Sequence, residues 1–104
     1  MVNNAAEFFA LANLKRSSVD VGGQTIHVRE MSVAERAKLL DLSKEGPAMA
    51  PAFLVRACVI TEDGKPVFTD KDADALASSA PAVVDAVAAA VLKLSGLEGD
   101  DPND

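Results

Sequence analysis

Polar and apolar residues alternate along one early segment of the chain, over about residues 18–30. Strict alternation is typical of a half-buried strand, because successive side chains point to opposite faces of a sheet. Gly22-Gly23 divides the segment and favours a two-residue hairpin turn with positive φ angles. Such a turn places Val19 opposite Ile26 on the apolar face. The segment therefore predicts a β-hairpin.

Apolar residues recur at helical spacing both before and after the hairpin. The predicted helices cover residues 5–14, 33–43, 51–58, 70–77 and 81–95. A capping box of Ser32 and Glu35 marks the start of the second helix. Its apolar face is predicted to comprise Val33, Ala37 and Leu40, widened by Leu39 and Leu42. The fold class is α+β: a mostly helical small domain with one N-terminal β-hairpin (about residues 18–30) and four to five helices.

The length of 104 residues favours one domain. We expect this domain to span residues 1–97, with residues 1–16 as an N-terminal helical arm. Residues 98–104 are mostly acidic and are expected to form a disordered tail. Two alternatives stay open for the first helix: it docks on the core, or it is a mobile arm that carries Phe8 and Phe9 to a partner.

The last predicted helix is apolar nearly all round, whereas a surface helix normally has one apolar stripe. Either it is the central helix of the domain, or another subunit or a partner covers part of it. The candidate residues for self-association or partner contact are Phe8, Phe9, Val83, Val87, Val91 and Leu94.

Charge and composition narrow the function classes. The net charge of -6 disfavours binding to the phosphate backbone of a nucleic acid. No signal peptide is recognisable, and the apolar run at residues 86–92 is too short to cross a bilayer. The single Cys58 cannot form an internal disulfide, which fits a reducing compartment. We expect a soluble cytoplasmic protein that contacts no membrane.

Candidate chemistry is sparse. Asp70, Asp72 and Asp74 have the spacing that opens a calcium loop, but Ala75 and Pro81 stand where the loop needs Gly and Glu. The same aspartates suit a helix start that Thr69 caps, after a tight turn at Asp63-Gly64. His27 lies on the outer face of the predicted hairpin, and Cys58 falls on an apolar helix face. We expect no enzyme activity, no metal and no cofactor.

Two segments carry a resemblance to a known family: Thr25-Ile-His-Val-Arg-Glu-Met-Ser-Val-Ala-Glu-Arg36 and Glu62-Asp-Gly-Lys-Pro-Val-Phe-Thr-Asp-Lys-Asp72. With a closing helix that ends in Leu94-Ser-Gly96, they resemble the tail assembly chaperones of long-tailed bacteriophages with flexible, non-contractile tails. The resemblance covers residues 17–97.

This resemblance implies a protein of the host cytoplasm that is absent from the mature virion. Such a protein binds the tape measure protein, keeps it soluble and promotes tail tube assembly, with the tail tube protein as a further partner. It also implies self-association. Two alternatives are a small virion structural protein of the tail or head–tail junction, and a small protein with an unrecognised ligand.

Overall fold

The structure is a computed structural model that describes residues 1–46 and 49–97. Within them lie α1 (Ala5–Leu11), β1 (Arg16–Val21), β2 (Gln24–Arg29), α2 (Val33–Leu42), α3 (Met49–Cys58), β3 (Val59–Ile60), a 3-10 turn (Asp70–Asp72), α4 (Ala73–Ala77) and α5 (Pro81–Leu94). The predicted α+β class is confirmed. None of the described helices is long and apolar enough to cross a bilayer. The predicted acidic tail lies outside the described residues.

The β1–β2 hairpin has the predicted register. Val19 lies opposite Ile26. Gly22 and Gly23 have φ angles of 58° and 81°, as a type I′ turn requires at both central positions. Val28 on the same face is fully buried. The hairpin therefore turns one apolar face to the helices.

A third strand, β3, extends the sheet and was not predicted. It follows α3 without a connecting loop and pairs antiparallel with β2, so that Val28 lies opposite Val59. The sequence around Val59 and Ile60 has no feature that ends a helix, because neither Gly nor Pro separates them from α3. Pairing with β2 rather than a local signal fixes this short strand.

The turn after β3 differs from the predicted tight turn. Gly64 has a φ of 91°, but Asp63 does not have a positive φ. The N–H of Gly64 donates to the carbonyl of Thr61 (2.9 Å), and the N–H of Thr61 donates to the carbonyl of Lys65 (2.8 Å). The connection is thus a three-residue loop with glycine at its left-handed position. Ile60 and Pro66 then form an isolated bridge.

α5 is the central helix of the described fold. It packs against α3 and across β1 and β2. The core comprises Val28, Met31, Ala52, Leu54, Val55, Cys58, Val59, Leu76, Val84, Val87, Ala88 and Val91. Behind α5, Gly96 has a φ of 74°, and the N–H of Leu97 donates to the carbonyl of Leu92 (2.8 Å). This is a Schellman stop, with Gly where the sequence predicts the helix end.

The apolar face predicted for α2 is only partly correct. Leu42 is buried and Leu39 packs against the core, whereas Val33, Ala37 and Leu40 are exposed. The reason is Glu35, which lies on the same side of the helix as Leu39 and Leu42. Its carboxylate is held against the sheet, so the helix cannot turn the opposite face inward.

An Arg29–Glu35 ion pair provides this restraint. The guanidinium donates from Nη1 to Oε1 (2.7 Å) and from Nη2 to Oε2 (2.8 Å). Nη2 also donates to the carbonyl of Ala57 at the end of α3 (2.8 Å). The N–H of Ser32 donates to the Glu35 carboxylate (2.9 Å) in the predicted capping box. One guanidinium therefore connects β2, α2 and α3.

Replacing the carboxylate in Glu35→Gln should lower the free energy of unfolding at pH 7 by about 1–2 kcal/mol, because the half-buried guanidinium loses its charged partner. The hydrogen bonds from Arg29 lower the pKa of Glu35 below its usual 4.5. Its contribution is therefore present above pH 4.5 and disappears as pH falls through the lower pKa of the folded state. Urea unfolding at pH 7 and pH 3 measures this, and the difference in stability between wild type and variant should be smaller at pH 3 than at pH 7.

Asp70→Asn provides the matched control. Asp70 pairs with Arg56 (2.6 Å), but its side chain is almost fully exposed. Exposed pairs contribute little to stability. A loss of stability in this control equal to that of Glu35→Gln would contradict the assignment.

Candidate functional site

An exposed helical arm precedes the sheet. The carbonyl oxygen of the Asn4 side chain accepts from the N–H of Glu7 (2.9 Å) and caps α1. Phe8 and Phe9 are 56% and 65% exposed, and their rings form an edge-to-face pair with centroids 6.0 Å apart. Two of the four phenylalanines of the chain thus lie on its surface.

The arm does not dock on the core, which was one of the two alternatives. Every residue from Met1 to Ser18 is exposed. α1 also ends at Leu11 rather than at Leu14, and the chain is next held at Lys15. There the N–H of Glu30 donates to the carbonyl of Lys15 (2.9 Å), and the N–H of Lys15 donates to the Glu30 carboxylate (2.8 Å). Among the described residues, the hydrogen bonds between the arm and the rest of the fold therefore lie at its base.

A second apolar surface is a groove between the hairpin and the start of α5. Its volume is about 330 Å³. The lining side chains are Thr25, Ile26, Val55, Val59, Ile60, Val67, Phe68, Leu76, Ser79, Val83, Val84 and Val87. No charged side chain is among these lining residues. The groove can therefore accept an apolar side chain of a partner, and the polar groups of its lining are the hydroxyls of Thr25 and Ser79.

The candidate residues on α5 differ in burial: one lies at the exposed edge of the groove and the others lie in or against the core. Val83 is 45% exposed and lies on the groove. Val87 and Val91 are buried in the core, and Leu94 is half-buried against it. The last helix was expected either to be central in the domain or to be covered in part by another subunit or a partner. Its central position accounts for the apolar residues nearly all round it. Val91 is fully buried and Val87, although it forms part of the groove floor, is only 2% exposed, so we assign both to the core.

Truncation of these valines should distinguish the two roles. Val91→Ala removes two buried methyl groups and leaves a cavity, so we expect the free energy of unfolding to fall by about 2 kcal/mol. Val83→Ala, the matched substitution at a half-exposed position of the same helix, should have a much smaller effect. Urea unfolding of both variants measures the difference. Equal effects would contradict the assignment.

The acidic stretch after the Gly64 turn is structural. The N–H of Thr69 donates to the Asp72 carboxylate (2.8 Å), and the Thr69 hydroxyl accepts from the N–H of Lys71 (3.3 Å). Asp70 pairs with Arg56, whose guanidinium lies 5.3 Å from the centre of the Phe53 ring. In the described part of the chain, no three potential metal ligands come together. The predicted helix cap at Thr69 is confirmed.

Cys58 is fully buried at the end of α3. Burial raises the pKa of its thiol to about 12, although the nearby Arg29 guanidinium acts in the opposite direction. The Sγ atom lies 3.9 Å from Nη1 of Arg29. At neutral pH the side chain is a thiol and not a thiolate, so it is not activated as a nucleophile.

The rate at which Cys58 is alkylated should therefore depend on whether the protein is unfolded. At pH 8 we expect iodoacetamide to leave Cys58 of the native protein unmodified and to modify it rapidly in urea, because only the exposed thiolate reacts. Intact mass after timed quenching measures the modification. Alkylation of the native protein at the rate of the unfolded chain would contradict the buried, protonated assignment.

Sequence reasoning found the arm and Val83, but it missed the groove. Ile26, Val67 and Phe68 come together there only because β3 adds a third strand and the chain then turns back at Gly64. No local pattern marks that arrangement. A single apolar residue such as Val67 after Pro66 does not distinguish a groove from an ordinary loop.

No known family pattern matches the sequence, and no curated protein is significantly similar to it. Among solved structures, the tail assembly chaperone of bacteriophage HK97 is similar in fold, with a TM-score of 0.66. The similarity covers 86% of this chain and 98% of that chain, at 17% sequence identity. The chain therefore has the fold of a bacteriophage tail assembly chaperone, which confirms the predicted resemblance at the level of the fold.

Proposed function

We propose that the protein is a tail assembly chaperone of a long-tailed, non-contractile bacteriophage. In this proposal it acts in the host cytoplasm, binds the tape measure protein, keeps it soluble, promotes tail tube assembly and is absent from the mature virion. The observation that carries the proposal is the fold, which accounts for 98% of the HK97 tail assembly chaperone chain.

Two features of the surface support a holding function. The arm exposes Phe8 and Phe9, and the groove beside Val83 is apolar. Exposed apolar surfaces on a small soluble protein commonly mark sites of protein contact. The net charge of -6 would keep a complex with an aggregation-prone client soluble. The groove is lined mainly by aliphatic side chains, which favours contacts weak enough for release when tube subunits polymerise.

Self-association is a second part of the proposal. Phe8 and Phe9 are both more than half exposed, so they are accessible to another copy of the chain as well as to a client. Among the candidate residues on α5, Val83 is exposed and open to either partner, whereas Leu94 is half-buried against the core. The accessible candidate surface is therefore Phe8, Phe9 and Val83.

Co-expression with the tape measure protein of the same phage provides the test. We expect the wild-type chain to keep the tape measure protein in the soluble fraction and to copurify with it. Phe8→Ser/Phe9→Ser should lose this activity and still unfold at the wild-type temperature, because both side chains are exposed. The amounts of soluble and copurified tape measure protein, by gel, are the readout.

Ala6→Ser/Ala10→Ser is the matched control on the same helix and should retain activity. An insoluble tape measure protein with the wild-type chain would argue against the function. Detection of the chain in purified virions, in stoichiometric amount, would favour a structural protein of the tail or head–tail junction instead.

A further inference from the structure

The outer edge of β1 is a free edge of the sheet in the described chain. The strand order is β1-β2-β3, and the far side of β3 is taken by the chain that returns through Pro66. β1 has six residues and no proline, and it pairs with β2 without a bulge. Proteins normally protect such an edge with a proline, a bulge, a very short strand or charge. Here only charge is present, as one positive and one negative side chain, Arg16 and Asp20.

The backbone groups on this edge come from alternate residues. The N–H of Glu30 donates to the carbonyl of Lys15 (2.9 Å), which makes these two residues a hydrogen-bonded pair of the β1–β2 ladder. Because hydrogen-bonded and non-bonded pairs alternate in an antiparallel ladder, the odd-numbered residues of β1 all direct their backbone groups to β2. The N–H and C=O groups of Arg16, Ser18 and Asp20 therefore point to the free edge, and all three residues are exposed.

A second copy of the chain fits this edge in one register. In an antiparallel pair centred on Ser18, Arg16 of each copy lies opposite Asp20 of the other, as two-fold symmetry requires. The edge-directed backbone groups then face each other at three positions, which supplies about six N–H···O bonds. A slide of two residues moves the opposite charges apart. A slide of four places Arg16 opposite Arg16 or Asp20 opposite Asp20, which is destabilising.

Neither charge has an ionic partner within the part of the chain that the structure describes. The Arg16 guanidinium lies against Gly64, and the two acidic residues that precede Gly64 form no ion pair with it. The Asp20 carboxylate accepts from the Thr25 hydroxyl (2.8 Å). Both side chains can therefore turn to a second copy without breaking an ion pair.

The other charges beside β1 do not oppose the pair. Arg29, which lies opposite Arg16 on β2, is bound by the carboxylate of Glu35. Lys15 lies beside Glu30, whose carboxylate accepts from the N–H of Lys15 (2.8 Å). In the register centred on Ser18, Lys15 lies opposite a valine of the second copy. The two contacts between Arg16 and Asp20 are therefore the charge pairs that decide the register.

The edge is also open to a second strand. Gly22 and Gly23 have no other part of the described chain within 4 Å of the place where a side chain would begin, so the start of a second β1 can pass this turn. On the side of α5, Val19 and Val21 are only half-buried. The helix therefore leaves part of each valine exposed at the edge, where a second copy would cover it.

We propose that two copies of the chain pair antiparallel through their β1 strands, centred on Ser18, so that two three-stranded sheets join into one. Arg16 and Asp20 set the register, and the edge-directed backbone supplies the hydrogen bonds. The two arms leave at opposite ends of the joined strands, with Phe8 and Phe9 free for a client. This proposal deepens the self-association of the proposed function by naming its surface, and it rests on that function only for the biological role of the pair.

A concentration series tests the pair. Sedimentation velocity from about 10 µM to about 1 mM covers the affinity expected of a small interface. We expect a reversible equilibrium between monomer and dimer, with a dissociation constant that rises with added salt. In hydrogen exchange, the amides of Arg16, Ser18 and Asp20 should become more protected as the dimer forms, because these N–H groups are bonded only in the pair.

Charge reversals test the register. Arg16→Asp and Asp20→Arg should each weaken dimerisation at least about tenfold, because each places like charges opposite one another twice. The double reversal Arg16→Asp/Asp20→Arg restores opposite charges and should recover the dimer. An equimolar mixture of the two single variants should form a heterodimer for the same reason. Asp85→Arg, a matched reversal at an exposed position of α5, should dimerise like wild type.

Ser18→Pro tests the backbone contribution. The N–H of Ser18 points to the free edge, so proline removes no hydrogen bond to β2 and should abolish the dimer. Ser18→Ala is the matched control and should still dimerise. Circular dichroism and the unfolding temperature of the monomers should match wild type, because Ser18, Arg16 and Asp20 are exposed. The charge reversals test the proposal independently of the proline variant.

Several results would overturn the proposal: a monomer at every concentration, unchanged dimerisation of both single reversals, a double reversal that stays monomeric, or new protection confined to the arm or the Val83 groove. The two proposals fail separately. If the wild-type chain keeps the tape measure protein soluble but is monomeric at every concentration, the function stands and this surface is wrong. If the chain dimerises as expected but the tape measure protein stays insoluble, the surface stands and the function is wrong.

Discussion

The Arg29–Glu35 ion pair is the interaction on which the arrangement of the helices depends. Arg29 leaves the end of β2, and its guanidinium contacts the Glu35 carboxylate and the Ala57 carbonyl. Because Glu35 also closes the capping box, the same carboxylate fixes where α2 begins and how it is rotated. Leu39 and Leu42 then reach the core, and Val33 and Leu40 cannot. A polar contact thus decides which apolar residues are buried.

Local physical chemistry accounts for most of the elements that the sequence predicts correctly. Gly22-Gly23 specifies the hairpin turn, and alternation specifies its register. Ser32 and Thr69 cap helices through their own side chains, and Gly96 ends α5 because it takes a left-handed conformation. Each of these signals acts over a few residues, so none of them needs knowledge of the tertiary structure.

The features that sequence reasoning missed depend on distant parts of the chain. β3 exists because Val59 pairs with Val28, some thirty residues earlier. The rotation of α2 depends on Arg29, and periodicity alone could not choose between its two apolar sides. The burial of Val87 and Val91 depends on α3 and the sheet together. The candidate site shows the same division: the aromatic pair on the arm is visible in the sequence, whereas the groove beside Val83 requires the assembled sheet.

The orientation of α2 has a consequence for sequence divergence. Side chains that point away from the core contribute little to folding, so Val33, Ala37 and Leu40 can be exchanged without endangering the fold. Arg29, Glu35 and the buried valines are under selection for the fold. The outward residues of α2 are not constrained in this way, so the two sets can change independently. Two proteins of this architecture can therefore share a backbone at 17% identity and still present different side chains along α2.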